Sequence, residues 1–329
     1  MAEPTARGLT RSDWAFAARR SSHGFVRHRG IDSAAALTFF SSLALFPMAL
    51  AVVSAFSLGS GRDNAAENIL TVLGEVLQPG TLDILKEPLT SLFTVSNPGV
   101  ALALGLAFSL WSLSSYATAF GRAVNTVYEV QEGRQIWKFR GLMLVLGVFL
   151  LVAFAAIAVL LLTTVRVADA VGVPEPWLTV WAWGRWPAVA ILFTLLIAVL
   201  YYVTPNVRHS RMRWVSFGAL FAIVVWGVAT LAFTAYVSFV GTYDRIYGWL
   251  GGGLALLIWL YITNVVLVFG AEVDAELVRV RQLSAGIPAE QTVQLPLRDT
   301  TRNLMLARQR AQDEADGRAL RERAEASAD

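Results

Sequence analysis

The chain has 329 residues, of which 56% are hydrophobic and only 16% are charged, and it contains no cysteine. Soluble domains usually carry about 25% charged residues, so this composition excludes an ordinary soluble protein and favours an integral membrane protein. The lack of cysteine excludes disulfides, thiolate metal sites and cysteine nucleophiles. The net charge of +3 is small, and its distribution along the chain is more informative than its size.

Residues 1–30 form a basic, mostly polar segment without the apolar core and cleavage site of a secretory signal peptide. We predict an amphipathic helix here, capped by Ser12 with Asp13. A basic amphipathic helix beside a membrane indicates contact with anionic lipid. Nucleic acid is the competing partner, but the arginines have a simpler role as topology signals. We therefore expect membrane lipids, and no nucleic acid, as partners.

Six apolar segments follow, and each is long enough to cross about 30 Å of hydrocarbon as a helix. None contains Asp, Glu, Lys, Arg or His, as expected because a charge at the bilayer centre costs at least about 2.5 kcal/mol. Backbone groups in hydrocarbon must pair within their segment, which favours helices. The predicted fold is an all-α, polytopic membrane protein, a six-transmembrane-helix bundle. The predicted spans are 34–57, 99–120, 141–165, 186–203, 215–239 and 247–271.

The basic residues outside the spans predict the orientation of the bundle. Of the 27 Lys and Arg residues, 22 lie in the two terminal segments and in the second-to-third and fourth-to-fifth connections. The other five lie in the three remaining connections. Because basic residues concentrate on the cytoplasmic side, both termini are predicted to be cytosolic. Tryptophans at span ends, such as Trp137 and Trp186, indicate interface anchors.

Two regions outside the spans carry patterns of their own. In the long connection between the first two spans, apolar residues at helical spacing predict amphipathic helices within 63–95, on the outer membrane surface or capping the bundle. Residues 281–329 are predicted to form a charged cytosolic tail, disordered or helical, that the membrane fold does not require. The predicted domains are therefore the basic segment 1–30, the membrane domain 31–280 and the tail.

The sequence contains no pattern typical of an enzyme. The three histidines, His23, His28 and His209, lie in basic segments without metal-ligand spacing. The serines between Ser109 and Ser115 have no basic partner within their span, so we expect them to pack. A proton relay is also less favoured, because the spans contain no ionisable groups. We expect no enzymatic activity and no catalytic, cofactor or metal site.

Helix breakers and polar residues at span ends predict a different kind of site. Pro47 should kink the first span, either beside a cavity or as plain architecture. A GxxxG pair opens the sixth span and indicates either close packing or a flexible outer end. Polar residues at cytosolic span ends either line a pocket, with Arg122 and Glu272 as an ion pair, or reach separately into water. The candidate residues are Pro47, Arg122, Asn125, Tyr128, Asn206, Gly248, Gly252, Asn264 and Glu272.

Several of these stretches together resemble the YihY/BrkB family of bacterial membrane proteins. The resemblance covers roughly residues 25–280 and implies six spans and an inner-membrane location. Members of this family were once labelled ribonuclease BN, a label generally regarded as a misassignment. The matching stretches are 34–47 (AAALTFFSSLALFP), 122–128 (RAVNTVY), 202–206 (YVTPN), 233–236, Tyr243, 247–248, 259–261 and 270–272.

The resemblance implies a role in the cell envelope. Some family members are linked to serum resistance and virulence, and others to envelope integrity or export of lipopolysaccharide lipid. Arginine outnumbers lysine 25 to 2, which suggests a high-GC bacterium whose envelope need not contain lipopolysaccharide. We expect a plasma-membrane protein that maintains the envelope by moving or handling a lipid or other amphiphile. The alternative is a scaffold that anchors partners through its cytosolic tail, and a nuclease is the least favoured function.

Overall fold

The computed structural model describes residues 9–60, 70, 97–163, 174–208, 216–239 and 249–327. These residues form eight helices, and six are long and apolar enough to cross a membrane, which confirms the predicted all-α, six-span fold. The amphipathic helices predicted within 63–95 lie outside the described residues. The helices are α1 (Arg11–Arg27), α2 (Gly30–Ser60), α3 (Pro98–Val127), α4 (Ile136–Leu162), α5 (Glu175–Val203), α6 (Phe217–Phe239), α7 (Trp249–Ser284) and α8 (Thr301–Ala326).

Helix α1 begins at a capping box and ends in a tight connection to α2. Thr10 is the N-cap: its hydroxyl accepts from the amide of Asp13, and the Asp13 carboxylate accepts from the amide of Thr10. Asp13 takes part in the cap, as predicted. Ser12 lies inside the first turn and is not the cap residue. Only His28 and Arg29 separate α1 from α2, and Arg29 has a left-handed φ of 55°. The short connection keeps α1 beside the base of α2.

Helix α7 is longer than a membrane requires. Its 36 residues span about 54 Å at a rise of about 1.5 Å per residue, whereas the hydrocarbon core is about 30 Å thick. Its first charged residue is Glu272, so the part of α7 from there to Ser284 extends past its apolar stretch. The predicted boundary between bundle and tail at residue 280 therefore falls inside a helix.

Small residues allow the central helices to pack closely. Gly105 of α3 faces α2, where an added Cβ would lie 2.8 Å from the carbonyl oxygen of Pro47. Gly218 of α6 faces α7, where an added Cβ would lie 2.3 Å from the carbonyl oxygen of Gly270. Such contacts between backbones are typical of membrane helices, where close packing replaces the hydrophobic effect. Helices α2, α3 and α7 form the centre of the bundle, and α6 packs on α7.

The chain after α7 folds back onto the bundle before α8 begins. Ala289 and Val293 are buried, and Leu297 forms an isolated antiparallel bridge with Val207, just after α5. We call residues 285–300 the return segment. The prediction treated it as part of a dispensable tail, but its apolar side chains are spaced closely enough to bury against the bundle. Helix α8, in contrast, has no buried residue.

Candidate functional site at the α1 end of the bundle

The end of the bundle where α1 packs against α7, here called the α1 end, contains several buried charges. Glu272, Glu276 and Arg279 of α7 lie at i, i+4 and i+7, and their side chains are only 1–2% exposed. Arg279 binds Glu276 at 3.1 Å and donates to the carbonyl of Ala289 in the return segment. From α1, Arg20 binds Glu276 at 3.0 Å. Because a buried charge is tolerated only when it is paired, these contacts fix the position of α1 on α7.

His28 occupies the centre of this arrangement. Its Nδ1 lies 2.7 Å from Oε1 of Glu272, and its Nε2 lies 3.5 Å from Oε1 of Glu129. Arg27 also reaches Glu129, at 2.8 Å. The hydrogen bond to Glu272 raises the pKa of His28 above its ordinary value, whereas burial of the ring opposes this shift. We call the connected charged residues the α1 junction, which comprises Arg20, Arg27, His28, Glu129, Glu272, Glu276 and Arg279.

A glycine permits the close approach of α1 to α7 at this point. A Cβ added at Gly24 would lie 2.7 Å from Oε2 of Glu272. This oxygen is buried and has no hydrogen-bond partner, while the other oxygen of the same carboxylate binds His28. A side chain at position 24 would therefore push against this carboxylate, which its hydrogen bond to His28 holds in place.

The predicted ion pair between Arg122 and Glu272 is wrong, because Glu272 binds His28 and Arg122 is exposed. Residues three apart on a helix differ in direction by about 60°. Over six residues, the direction therefore changes by about 120° between Arg122 and Tyr128. Tyr128 is buried and donates to a carboxylate oxygen of Asp274 at 3.2 Å, whereas Arg122 lies on the outer face of α3.

Asn125 and Asn206, both predicted as site residues, are brought together. Oδ1 of Asn125 accepts from the backbone amide of Asn206 at 2.8 Å, and its Nδ2 donates to Glu132 at 2.9 Å. Asn206 in turn donates to the carbonyl of Asp299 at 2.9 Å. Glu132 also binds Arg134 at 2.6 Å. This asparagine cluster ties the ends of α3 and α5 and the turn before α4 to the return segment.

Asn264 belongs to a third cluster, inside the membrane. It accepts from the Tyr116 hydroxyl at 2.9 Å and donates to the Thr38 hydroxyl at 3.3 Å and to the carbonyl of Leu260 at 2.9 Å. These bonds join α2, α3 and α7. Asn264 is two helical turns from Glu272, about 12 Å along α7, so the structure divides the predicted polar pocket into three separate clusters.

Two buried serines of α3 differ from the other membrane hydroxyls. Ser109 and Ser112 are 0% and 1% exposed, and neither hydroxyl has a hydrogen-bond partner. The serines of α2 behave differently: Ser42 and Ser57, for example, donate to the carbonyl four residues earlier in their own helix. Ser109 lies one turn beyond Gly105, which faces α2 beside Pro47. The two hydroxyls are therefore available to a polar group at the α2–α3 interface.

The remaining predicted residues lie away from the α1 end. Pro47 lies in the middle of α2, where it has no N–H to offer the carbonyl of Leu43. Gly252 is twenty residues before Glu272, about 30 Å away along α7, and Gly248 lies outside the described residues. Among the described residues, no three His, Asp or Glu side chains gather in a way that could hold a metal ion.

Sequence reasoning missed most of the α1 junction. It places His28 in the basic segment and does not single out Glu276 or Arg279. The i, i+4, i+7 spacing of Glu272, Glu276 and Arg279 immediately after an apolar span was the available signal, because these positions share one helix face. Nothing local in the sequence connects that face to His28, which is 244 residues away.

The comparisons with known proteins agree that the chain is a membrane protein. A family model described as virulence factor BrkB matches residues 21–294. The chain is 30% identical over 267 residues to YfkH of Bacillus subtilis strain 168, which is named as ribonuclease-like, covering 79% of this chain and 94% of that protein. It is 28% identical to a UPF0761 membrane protein of Alkalilimnicola ehrlichii, covering 75% of this chain and 55% of that protein.

A UPF0761 membrane protein of Aliivibrio salmonicida is 25% identical over 257 residues, covering 77% of this chain and 80% of that protein. No solved structure matches the chain. The match of the family model covers most of the membrane region. It includes every residue of the α1 junction except Arg20, and part of the return segment. This chain therefore belongs to the BrkB family of membrane proteins.

Proposed function

We propose that this protein lies in the bacterial plasma membrane and maintains the envelope by moving or handling a lipid or other amphiphile. In this proposal the α1 end and both termini face the cytosol. The orientation is supported by the distribution of basic residues, because 22 of the 27 Lys and Arg residues fall on the α1 side of the predicted spans.

The observation that carries the lipid proposal is the pair of unpartnered hydroxyls of Ser109 and Ser112. Leaving a buried polar group without a partner costs about 1–3 kcal/mol, and both serines could in principle bond to their own helix. Hydroxyls provide uncharged donors and acceptors within a span that has no ionisable residue. Such groups suit the polar part of an amphiphile as it crosses hydrocarbon, whereas an ion would need charged or many converging ligands.

The test is lipid movement by purified protein in liposomes containing fluorescent phospholipids or small amphiphiles. We expect movement by the wild-type protein and a loss of most of that movement in the S109A/S112A double variant. The matched control is S42A/S57A, which removes two hydroxyls that already bond to their own helix, and it should leave the rate unchanged. If the wild-type protein moves none of these molecules, or if both double variants behave alike, the proposal is wrong.

The exposure of α8 favours a second candidate function, a scaffold that binds partners at the α1 end. None of its 26 residues is buried, although the return segment anchors its first residue firmly. A truncation test must keep the return segment, so the chain should end after Asn303. Loss of envelope integrity in cells, with lipid movement in liposomes retained, would support the scaffold. An unaffected envelope would contradict it.

A further inference from the structure

The His28 ring lies between two carboxylates that come from different parts of the fold. Glu272 belongs to α7 and Glu129 to the turn that follows α3, and they lie 2.7 Å from Nδ1 and 3.5 Å from Nε2 of the ring. The His28 side chain is only 8% exposed, so water contributes little to its charge balance. A neutral ring with its proton on Nδ1 can donate to Glu272 and leaves Nε2 as an acceptor.

In the neutral ring, Nε2 of His28 has a hydrogen-bond donor nearby, on Arg27. Nε of Arg27 lies 3.4 Å from this nitrogen and can donate to it when the ring is neutral. When a proton binds to Nε2, that nitrogen can only donate, and the nearby acceptor is Glu129. Protonation therefore changes the partner of Nε2 from the cation of α1 to the carboxylate after α3.

The other charges around the ring have partners of their own. Arg29, the next residue, binds Asp32 at 2.6 Å. Glu276 is held by Arg20 and Arg279, and Arg279 also reaches the far oxygen of Glu129 at 3.7 Å. The groups left to act on the ring are Glu272 and Glu129, which favour the imidazolium, and Arg27, which opposes it.

The backbone around the ring is strained on both sides. Arg29 and Glu129 both have φ of 55°, and they are the two non-glycine residues with positive φ among the described residues. A left-handed conformation is unfavourable for such residues, and residues of this kind cluster at functional sites. Arg29 directly follows His28 in the sequence, and Glu129 supplies the carboxylate that faces Nε2.

We propose that His28, Glu272 and Glu129 form a proton-binding site, and that the proton bound at Nε2 of His28 latches α1 onto the bundle. The ligand is the proton alone, and no other group is transferred. The imidazolium joins α1 to α7 through Glu272 and to the end of α3 through Glu129. After the proton leaves, the ring keeps only its bond from Nδ1 to Glu272, α1 is held otherwise by the Arg20–Glu276 and Arg27–Glu129 pairs, and the docked fraction of α1 falls. This inference does not depend on the proposed movement of lipid.

One experiment follows the proton directly, by NMR of full-length protein labelled with ¹⁵N-histidine in nanodiscs. We expect the pKa of His28 to lie above the ordinary histidine value of about 6.5. The E272Q variant, which keeps the size of the side chain but removes its charge, should lower the His28 midpoint. The H209Q background removes the third histidine and leaves two assignable signals.

A second experiment follows the docking of α1. Because the chain has no cysteine, spin labels can be placed at A18C and R281C, two exposed positions on α1 and α7. The distance distribution measured by pulsed EPR should broaden to longer values as pH rises. The H28Q variant can still donate a hydrogen bond but cannot bind a proton, so its distribution should not change with pH, whereas H23Q should behave as wild type. An unchanged His28 midpoint in E272Q, or a pH response retained in H28Q, would overturn the proposal.

Discussion

Gly24 of α1 lies directly against the carboxylate of Glu272 on α7, with room for a hydrogen atom and none for a methyl group. An added Cβ would be 2.7 Å from Oε2 of Glu272. The contact lets His28, four residues further along the chain, reach the other oxygen of the same carboxylate. The position of α1 therefore depends on one small residue as well as on its charges.

We predict that G24A destabilises the protein although alanine is the better helix former. The overpacked contact should cost about 1–3 kcal/mol, against a gain in helix propensity of at most about 1 kcal/mol. Thermal unfolding in detergent measures the difference. The matched control is G141A in α4, where an added Cβ meets nothing within 4 Å, and it should be neutral or stabilising. Equal effects of the two substitutions would contradict the predicted clash.

The membrane-interior cluster should show energetic coupling between Tyr116 and Asn264. Their hydrogen bond of 2.9 Å lies among buried residues, and such bonds between membrane helices are worth about 0.6–2 kcal/mol. A double-mutant cycle of Y116F and N264L, measured by unfolding in mixed micelles, should return a coupling energy in this range. The cycle of Y236F, at an exposed tyrosine, with N264L should return none. A coupling of zero for Tyr116 would show that the bond does not contribute to stability.

The N206A variant should release the return segment. Asn206 makes side-chain bonds to the backbone of Gln131 and Asp299, and each partner left unsatisfied costs about 1–3 kcal/mol. Hydrogen exchange measured by mass spectrometry should increase in residues 287–300 and stay unchanged in α2. The comparison variant R308A, on the exposed surface of α8, should not change exchange in that segment. Protection retained in N206A would mean that the other contacts of the segment, such as the hydrogen bonds from Arg298 to the backbone at the end of α5, are sufficient to hold it.

Stability should fall as pH rises through the pKa of His28 in the folded protein. Contact with Glu272 raises this pKa above 6.5, so the folded state binds the proton more tightly than the unfolded state does. The resulting stabilisation is complete below about pH 6.5, the ordinary pKa of histidine, and is lost as pH rises through the raised value. Unfolding temperatures measured across this window should fall more in wild type than in H28Q. Parallel curves for the two proteins would contradict the shift.

Reporter fusions test the orientation. Alkaline phosphatase and green fluorescent protein fused after residues 75, 130, 175, 210 and 243 should report outside, inside, outside, inside and outside. The basic connections require this alternation because they would otherwise fall on both sides of the membrane. With residue 130 inside, an inside signal at residue 175 would mean that the third span does not cross the membrane. With residue 210 inside, an inside signal at residue 243 would mean the same for the fifth span.

Sequence reasoning predicts the spans well because the cost of charge in hydrocarbon acts on each segment separately. The contacts at the α1 end follow from pairings between distant segments, such as His28 with Glu272 and Asn206 with Asp299, which no local pattern encodes. Asn125 and Asn206 could be predicted as site residues, since each is polar at the end of a span. The ion pair predicted for Arg122 is wrong because residues three and six positions apart on a helix point in progressively different directions. The return segment was missed because its partners, such as Val207 and Asn206, lie far away in the sequence.

The return segment also sets the order in which the protein can be completed. Asn206 and the turn before α4 are made long before Asp299, their partner from the return segment. Because chains fold from the N-terminus during synthesis, the asparagine cluster stays incomplete until the return segment leaves the ribosome. A bundle inserted with all six spans but released early would thus carry an unfinished surface at the α1 end, with buried amides exposed to quality-control proteases. The fold at the α1 end is therefore completed only after the return segment has been made.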